Sequence, residues 1–420
     1  MQEAGMSKIF SFFVLIFLIL LLTSPSWAWT PSQRLTWTAG DSMCPDVTID
    51  SSDNILMVFQ DDSWNYPTVD IFFKKSTDGG ATWIALKRLT WSSGDSVFPQ
   101  IATNSSNHIL VVWQDNTSGF FEIYFRKSTD GGTTWLPRQR LTWNSGYSMS
   151  PAIAVASTGK IYVAWCDNFK GNEEIYLKSS ADGGNTWSAI NQLTWNPHSS
   201  TNPDIAVDTN NNVHVVWANF LAATLTWGNE IFHKKSTNGG VSWSATKRIT
   251  WDPHDEYENV RPKLVIHGTK LHLLWEKTWF RIAWGYGHWV KYTNSTDGGA
   301  TWSWHIILDS YTYYESSSSG FSSAINDKAM IYYANLWDLA VDSSGNPHAV
   351  WNILRTSTDP SQIFYRYSPS GGSPWNYIKK MTNTYGDSRG PVIAVDSSGT
   401  AHIIWQDDTP GNYEIYYKQE

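Results

Sequence analysis

The stretch STDGGATW, Ser76 to Trp83, returns as STDGGTTW (Ser128 to Trp135) and SADGGNTW (Ser180 to Trp187). It continues as STNGGVSW (Ser236 to Trp243), STDGGATW (Ser295 to Trp302) and a worn copy, SPSGGSPW (Ser368 to Trp375). The spacing is 52 residues twice, then 56, 59 and 73. These residue types describe a tight turn between strands. A carboxylate accepts from nearby backbone N–H groups, the Gly pair takes positive φ, and the closing Trp covers the end of an apolar core. The structural acceptors are Asp78, Asp130, Asp182, Asn238 and Asp297; Ser370 fills the place more weakly, beside Pro374.

Three more segments recur around each turn. One is a strand opened by proline, as in Pro99-Gln100-Ile101-Ala102 and Pro203-Asp204-Ile205-Ala206. The next runs HILVVWQD from His108, matched from His214, His272, His348 and His402. The third is EIYFRK from Glu122, matched from Glu174, Glu230 and Glu414. All are short, β-branched and aromatic, with period-two alternation, which predicts strands. A unit of four strands and about 50 residues is a propeller blade. The repeated His reads as a strand-start residue, and no metal is expected.

The first three strands appear seven times, near Pro45, Pro99, Pro151, Pro203, Pro262, Leu336 and Pro391. The seventh set reaches Glu420 without a fourth strand. The missing one is Arg34-Leu35-Thr36-Trp37, whose four letters recur from Arg88 and from Arg140 at the ends of units. The expected fold is therefore all-β: a seven-bladed β-propeller of four-stranded blades, closed by an N-terminal strand that completes the last blade and leaves no open edge.

Composition agrees with a packed, exported chain. Charged residues are 16% of the total and aromatics 15%, which excludes disorder. The net charge of −8 argues against nucleic acid as a partner. Lys8 precedes an apolar run from Ile9 to Leu22, followed by Ser26-Trp27-Ala28. That pattern predicts a signal peptide over 1–28, a propeller over 29–420 and a secreted or cell-surface location; an uncleaved anchor is the alternative. No second membrane-length apolar run follows. Cys44 and Cys166 fall in non-adjacent units and read as separate thiols. No cofactor is expected.

The turns STDGGATW and STDGGTTW resemble the Asp-box, or bacterial neuraminidase repeat, of the sialidase-like propellers. The resemblance covers Trp29 to Glu420. Sialidases carry an Arg triad whose first member sits in a Phe/Tyr-Arg-Ile-Pro motif on the first blade, with a Tyr–Glu nucleophile pair and an Asp acid/base. Here the first blade opens SMCPDV (Ser42 to Val47), without Arg. The nearest likenesses are Val260-Arg261-Pro262-Lys263-Leu264 and Arg389-Gly390-Pro391. Sialidases proper have six blades. The resemblance implies the fold strongly and the activity weakly.

Irregular segments fall on the face opposite the Asp-bearing turns. Two connections between second and third strands are long and apolar: ANFLAATLTWGNE (Ala218 to Glu230) and EKTWFRIAWGYGHW (Glu276 to Trp289). Trp227, Trp279, Trp284 and Trp289 lie in these insertions, with Tyr286 among them as a ligand-binding candidate, and aromatic rings beside polar groups suit stacking on sugars. Arg261, Arg281, Arg355 and Arg389 fall on the same face and suit a carboxylate or sulfate. Tyr257, Glu258 and Glu276 are the catalytic candidates. The leading expectation is recognition of a glycan or surface polymer. The alternatives are an exo-acting glycoside hydrolase of the sialidase type and a cell-surface scaffold for protein partners.

Overall fold

The structure is a computed structural model that describes residues 29–65, 68–223, 226–251, 257–281, 285–313, 337–353 and 359–420. Seven four-stranded antiparallel sheets make seven blades. Blade one holds Ser42–Ile49, Ile55–Asn65, Thr68–Ser76 and Lys87–Arg88. Blades two to six repeat this order. In blade seven, Ser388–Val395, Ala401–Asp407 and Glu414–Gln419 are joined by Gln33–Arg34, with Gln33 opposite Tyr417 and Arg34 opposite Tyr416. The closure is reinforced by Leu35 donating to the Ile415 carbonyl at 2.7 Å and by an Arg34–Glu414 ion pair at 2.7 Å.

The apolar core lies between blades and inside them. Trp113, Trp165, Trp217, Trp275, Trp351 and Trp405 occupy one place in the second strands of blades two to seven, and all are fully buried. Most stack on the directly opposed third-strand ring, as in Trp113–Tyr124 (centroids 5.9 Å apart) and Trp217–Phe232 (6.0 Å). The turn tryptophans seal the seams instead. Trp135 meets Phe73 of the preceding blade edge-on at 5.3 Å, and Trp187 meets Phe125 at 5.1 Å.

Each turn is built as its residue types dictate. Asp130 accepts from Ser128 Oγ at 2.8 Å and from both the backbone N–H and hydroxyl of Thr134. These bonds hold its carboxyl down at about 2. Asn238 keeps the acceptor role, taking the Ser242 N–H at 2.8 Å. The worn sixth copy keeps the bond from Gly372 N–H to Ser368 Oγ and the Trp375 indole bond to the Gly372 carbonyl, and Ser368 donates to the Pro374 carbonyl. The second Gly of the pair is obligatory for a tertiary reason: a Cβ on Gly132 would stand 2.6 Å from Phe73 Cε1 of the neighbouring blade.

Three of the repeated histidines, His272, His348 and His402, are buried and bond a tyrosine hydroxyl of the third strand through Nδ1. His214 bonds His233 instead. Among the described residues no group of His, Cys, Asp and Glu is arranged to hold a metal ion. Cys44 and Cys166 are both buried, and no disulfide joins them.

Candidate site at the channel mouth

Among the described residues, the innermost strands of six blades carry one extra residue near the start, just before the repeated proline. That residue sits in the left-handed region at Cys44 (φ 51°), Phe98 (54°), Ser150 (53°), Asn202 (50°), Arg261 (52°) and Gly390 (58°). Each marks a register shift against the second strand, a bulge that re-aims side chains at the rim of the channel. The freed N–H is taken by a side-chain amide from the preceding blade: Cys44 by Gln406 (2.8 Å), Phe98 by Gln60 (3.0 Å) and Ser150 by Gln114 (2.9 Å). The corresponding place in blade five is Glu276, a charged residue where blades one, two, six and seven carry the amides Gln60, Gln114, Asn352 and Gln406, and blades three and four carry Cys166 and Ala218.

Two places beyond the bulge stand Asp46, Gln100, Ala152, Asp204, Lys263 and Val392, and Asp338 holds the matching register in blade six. The three carboxylates also pin neighbouring blades together. Asp46 accepts from Ile101 N–H and Asp204 from Leu264 N–H, both at 2.7 Å, and Asp338 from Ile393 N–H at 2.9 Å. One cation serves all three. Lys263 Nζ is 3.3 Å from Asp338, and despite the burial that opposes its charge, the three aspartates raise its pKa. Burial pushes Asp46 up to about 7, against the pull of Lys263. This ring went unnoticed in the sequence reading; the signal is the residue after each repeated proline.

Blade five is the outlier. Its inner strand spans Tyr257–His267, and its second and third strands Lys270–Arg281 and Gly285–Ser295, eleven or twelve residues each. The second and third strands of blade two have only seven. The segment from Glu276 to Trp289 was expected to be a loop. It continues the antiparallel ladder instead, to Arg281 opposite Gly285. The segment from Ala218 to Glu230 in blade four does the same, to Ala223 opposite Thr226. Alternating β-branched and aromatic residues keep pairing wherever a partner strand is available.

This extension brings candidate residues together. Tyr257 lies opposite Trp279, Glu258 opposite Thr278 and Val260 opposite Glu276. Glu258 and Glu276 are therefore diagonal neighbours on one side of the sheet, with backbones roughly 7–8 Å apart. His288, opposite Thr278, occupies the same side and bonds Glu276 through Nδ1. The two carboxyls are driven apart electrically. Desolvation and the Glu276 charge raise Glu258, which keeps an exposed side. Burial works against the Glu276 charge, yet the His288 imidazole bound to it holds its pKa down, and Arg261 pulls in the same direction. Arg261, half-buried, acts on both.

Arg389 sits in the inner strand of blade seven, one place before its bulge, and pairs with Asp387 at 2.6 Å. Trp279, Arg281 and Tyr286 are placed by their backbones in the blade-five hairpin. Trp284 and Arg355 lie outside the described residues. The second-strand ends Asp61, Asp115, Asp167 and Asp407 each accept a serine hydroxyl from the start of the inner strand and the backbone N–H two residues on, which fixes loops.

No family model matches the chain, and no curated protein matches it in sequence. Solved structures do match. The polysaccharide lyase Uly1 is 8% identical, with 94% of each chain covered and a TM-score of 0.58. The α-L-arabinofuranosidase arb93a of Fusarium graminearum is 13% identical, over 93% of this chain and 98% of that one, at 0.54. The Hadza microbial sialidase Hz136 is 14% identical, over 83% and 72%, at 0.49. At such identities the likeness speaks for the propeller fold alone.

Proposed function

We propose that the chain is an exported Asp-box propeller that recognises a glycan or similar surface polymer at the channel mouth, on the face away from the Asp-bearing turns. The observation that carries this reading is the blade-five rim, where Glu258 and Glu276 share one side of the sheet with opposite pKa shifts and Arg261 acts on both. Arg261 and Arg389 hold an acidic or hydroxyl-rich ligand, and Trp279, Arg281, Trp284, Tyr286 and Arg355 complete the binding set. Two propellers of similar fold are named for activity on glycans, which agrees. Export rests on the N-terminal signal pattern.

A second reading, exo-acting hydrolysis, has its own support. A carboxyl with a raised pKa beside one with a lowered pKa is the direction of acid/base division that glycoside cleavage needs. In that reading Glu258 is the acid and Glu276 the base or nucleophile, with Tyr257 alongside. The test uses Trp29–Glu420 on a glycan array and on fluorogenic glycosides, sialosides and arabinofuranosides included. Arg261→Ala should weaken binding at least about tenfold, the loss of one charge-assisted contact. Glu276→Gln should abolish any turnover. Binding that neither variant changes would remove the site from the channel mouth.

A further inference from the structure

The repeated fourth strand ends in a tryptophan that faces water. Trp37, Trp91, Trp143, Trp195 and Trp251 follow the fourth strands of blades seven, one, two, three and four, and each is 64–72% exposed. The seventeen tryptophans at repeated blade positions thus divide by fate: those in second strands are buried, and the turn tryptophans are half-buried in seams. Among these seventeen only this set stands open; Trp64 and Trp304, outside the repeat, are 63% and 91% exposed. Blades five and six carry Ser310 and Asn383 at the same place.

A cation stands beside each exposed ring. Arg88 donates from Nε to the Thr90 carbonyl at 2.8 Å and from Nη2 to Asp70, and its guanidinium lies 5.7 Å from the Trp91 ring centroid. Arg34, Arg140 and Arg248 repeat the arrangement over Trp37, Trp143 and Trp251, at 5.6, 5.9 and 4.1 Å. A second cation reaches across the seam from the next blade. Lys178 bonds the Leu141 carbonyl at 2.7 Å and stands 5.3 Å from the Trp143 ring; Lys234 does the same to Leu193 and Trp195, at 2.6 and 5.4 Å. Burial lowers the pKa of both lysines, which are spent on the seam and not offered to solvent.

We propose that these five tryptophans are platforms for the rings of an extended polysaccharide, each stacking on the apolar face of one sugar. The chemistry favours that occupant. A protein partner or a lipid surface needs contiguous apolar area. Here the rings stand one per blade, about one-seventh of a turn apart, separated by polar groups such as Ser92, Asn144 and Asn196. A pyranose chain presents what they match: weakly positive C–H faces for an electron-rich ring, at repeated intervals, with hydroxyls between. The net charge of −8 also disfavours anionic membranes. All five lie on the same face as the channel mouth, on the blades that lack the extended blade-five hairpin. The inference does not rest on the channel-mouth reading.

The test is affinity electrophoresis of Trp29–Glu420 through gels containing β-glucan, xylan, galactomannan or polygalacturonate, with pull-down on cellulose and chitin. At least one polymer should retard the chain, while the corresponding disaccharide should bind over 100-fold more weakly, because linked weak sites gain about 10²–10⁴ in avidity. Replacing the five tryptophans by Ala one after another should weaken retention stepwise and finally abolish it. The Trp→Tyr set, which keeps a ring, should retain part of it. Trp304→Ala, which removes a ring 91% exposed but outside this set, should leave the retention intact. Circular dichroism confirms folding of each variant. Failure to bind every polymer, undiminished retention of a folded five-Ala variant, or Trp-dependent sedimentation with lipid vesicles in place of polymer binding would each overturn the proposal.

Discussion

The pair His214 and His233 offers the sharpest test of the packing. Their rings lie 3.1 Å apart between Nδ1 and Nε2, sealed under Trp302 at the blade-four seam. Burial drives His214 down to about 4, helped by Lys235 and opposed by Asp208; burial drives His233 to about 3, helped by His214, Lys235 and Lys247. Both are neutral in the fold and titrate near 6.5 once unfolded. The unfolded chain therefore binds more protons below pH 6.5. Stability is fully present above that pH and falls as pH drops towards 4. The slope is about 1.4 kcal/mol per pH unit for each ring, so between pH 6.5 and 4.5 the pair removes up to about 5 kcal/mol. Blade two holds Leu110 and Phe125 at the same two places, both fully buried. The double variant His214→Leu, His233→Phe should match the parent near pH 8 and lose much of the acid sensitivity. Denaturant unfolding at half-unit steps from pH 8 to 4.5 measures both curves. Identical pH slopes in the two proteins would refute the reasoning.

Two further outcomes follow from contacts already described. Gly132→Ala, at φ 91° with Phe73 2.6 Å from the new Cβ, should destabilise by about 2–4 kcal/mol, whereas Gly131→Ala, with only Lys75 Nζ at 3.3 Å, should cost about 1 kcal/mol. Equal thermal shifts would contradict the steric account. Lys263→Met should cost about 3–5 kcal/mol at pH 8 by leaving three buried carboxyls without a cation. Part should return below about pH 7, where Asp46 takes up a proton in the fold but not in the unfolded chain; unfolding curves at pH 8 and 6 decide it.

The strands, the turn and the ring closure were legible because they repeat: Asp78, Gly79, Gly80 and Trp83 recur with their spacing intact, and local chemistry alone accounts for them. What escaped notice depends on curvature and neighbours. Arg261 and Asn202 look unrelated in sequence, yet both occupy the same left-handed bulge, which only blade geometry reveals. Trp91 and Trp113 are the same letter in equally regular frames, and one faces water while the other is buried. The segment from Glu276 to Trp289 was expected as a long apolar loop, but Gly285 and Gly287 pair with Arg281 and Trp279 in a continuing ladder. Lys263 is conspicuous only once the seven inner strands are superimposed.

The partnership of Arg34 with Glu414 joins positions 380 residues apart in the chain. Closing a segment of that length costs on the order of 5 kcal/mol in chain entropy, so the last blade forms late, after the other six have shortened the gap. Until then Gln33–Arg34 and Glu414–Gln419 are two exposed strand edges that fit each other on the same chain and fit equally well the ends of another copy. The velcro that seals one ring is thus also a kinetic liability, because at high concentration an unfinished ring finds its missing strand on a neighbour.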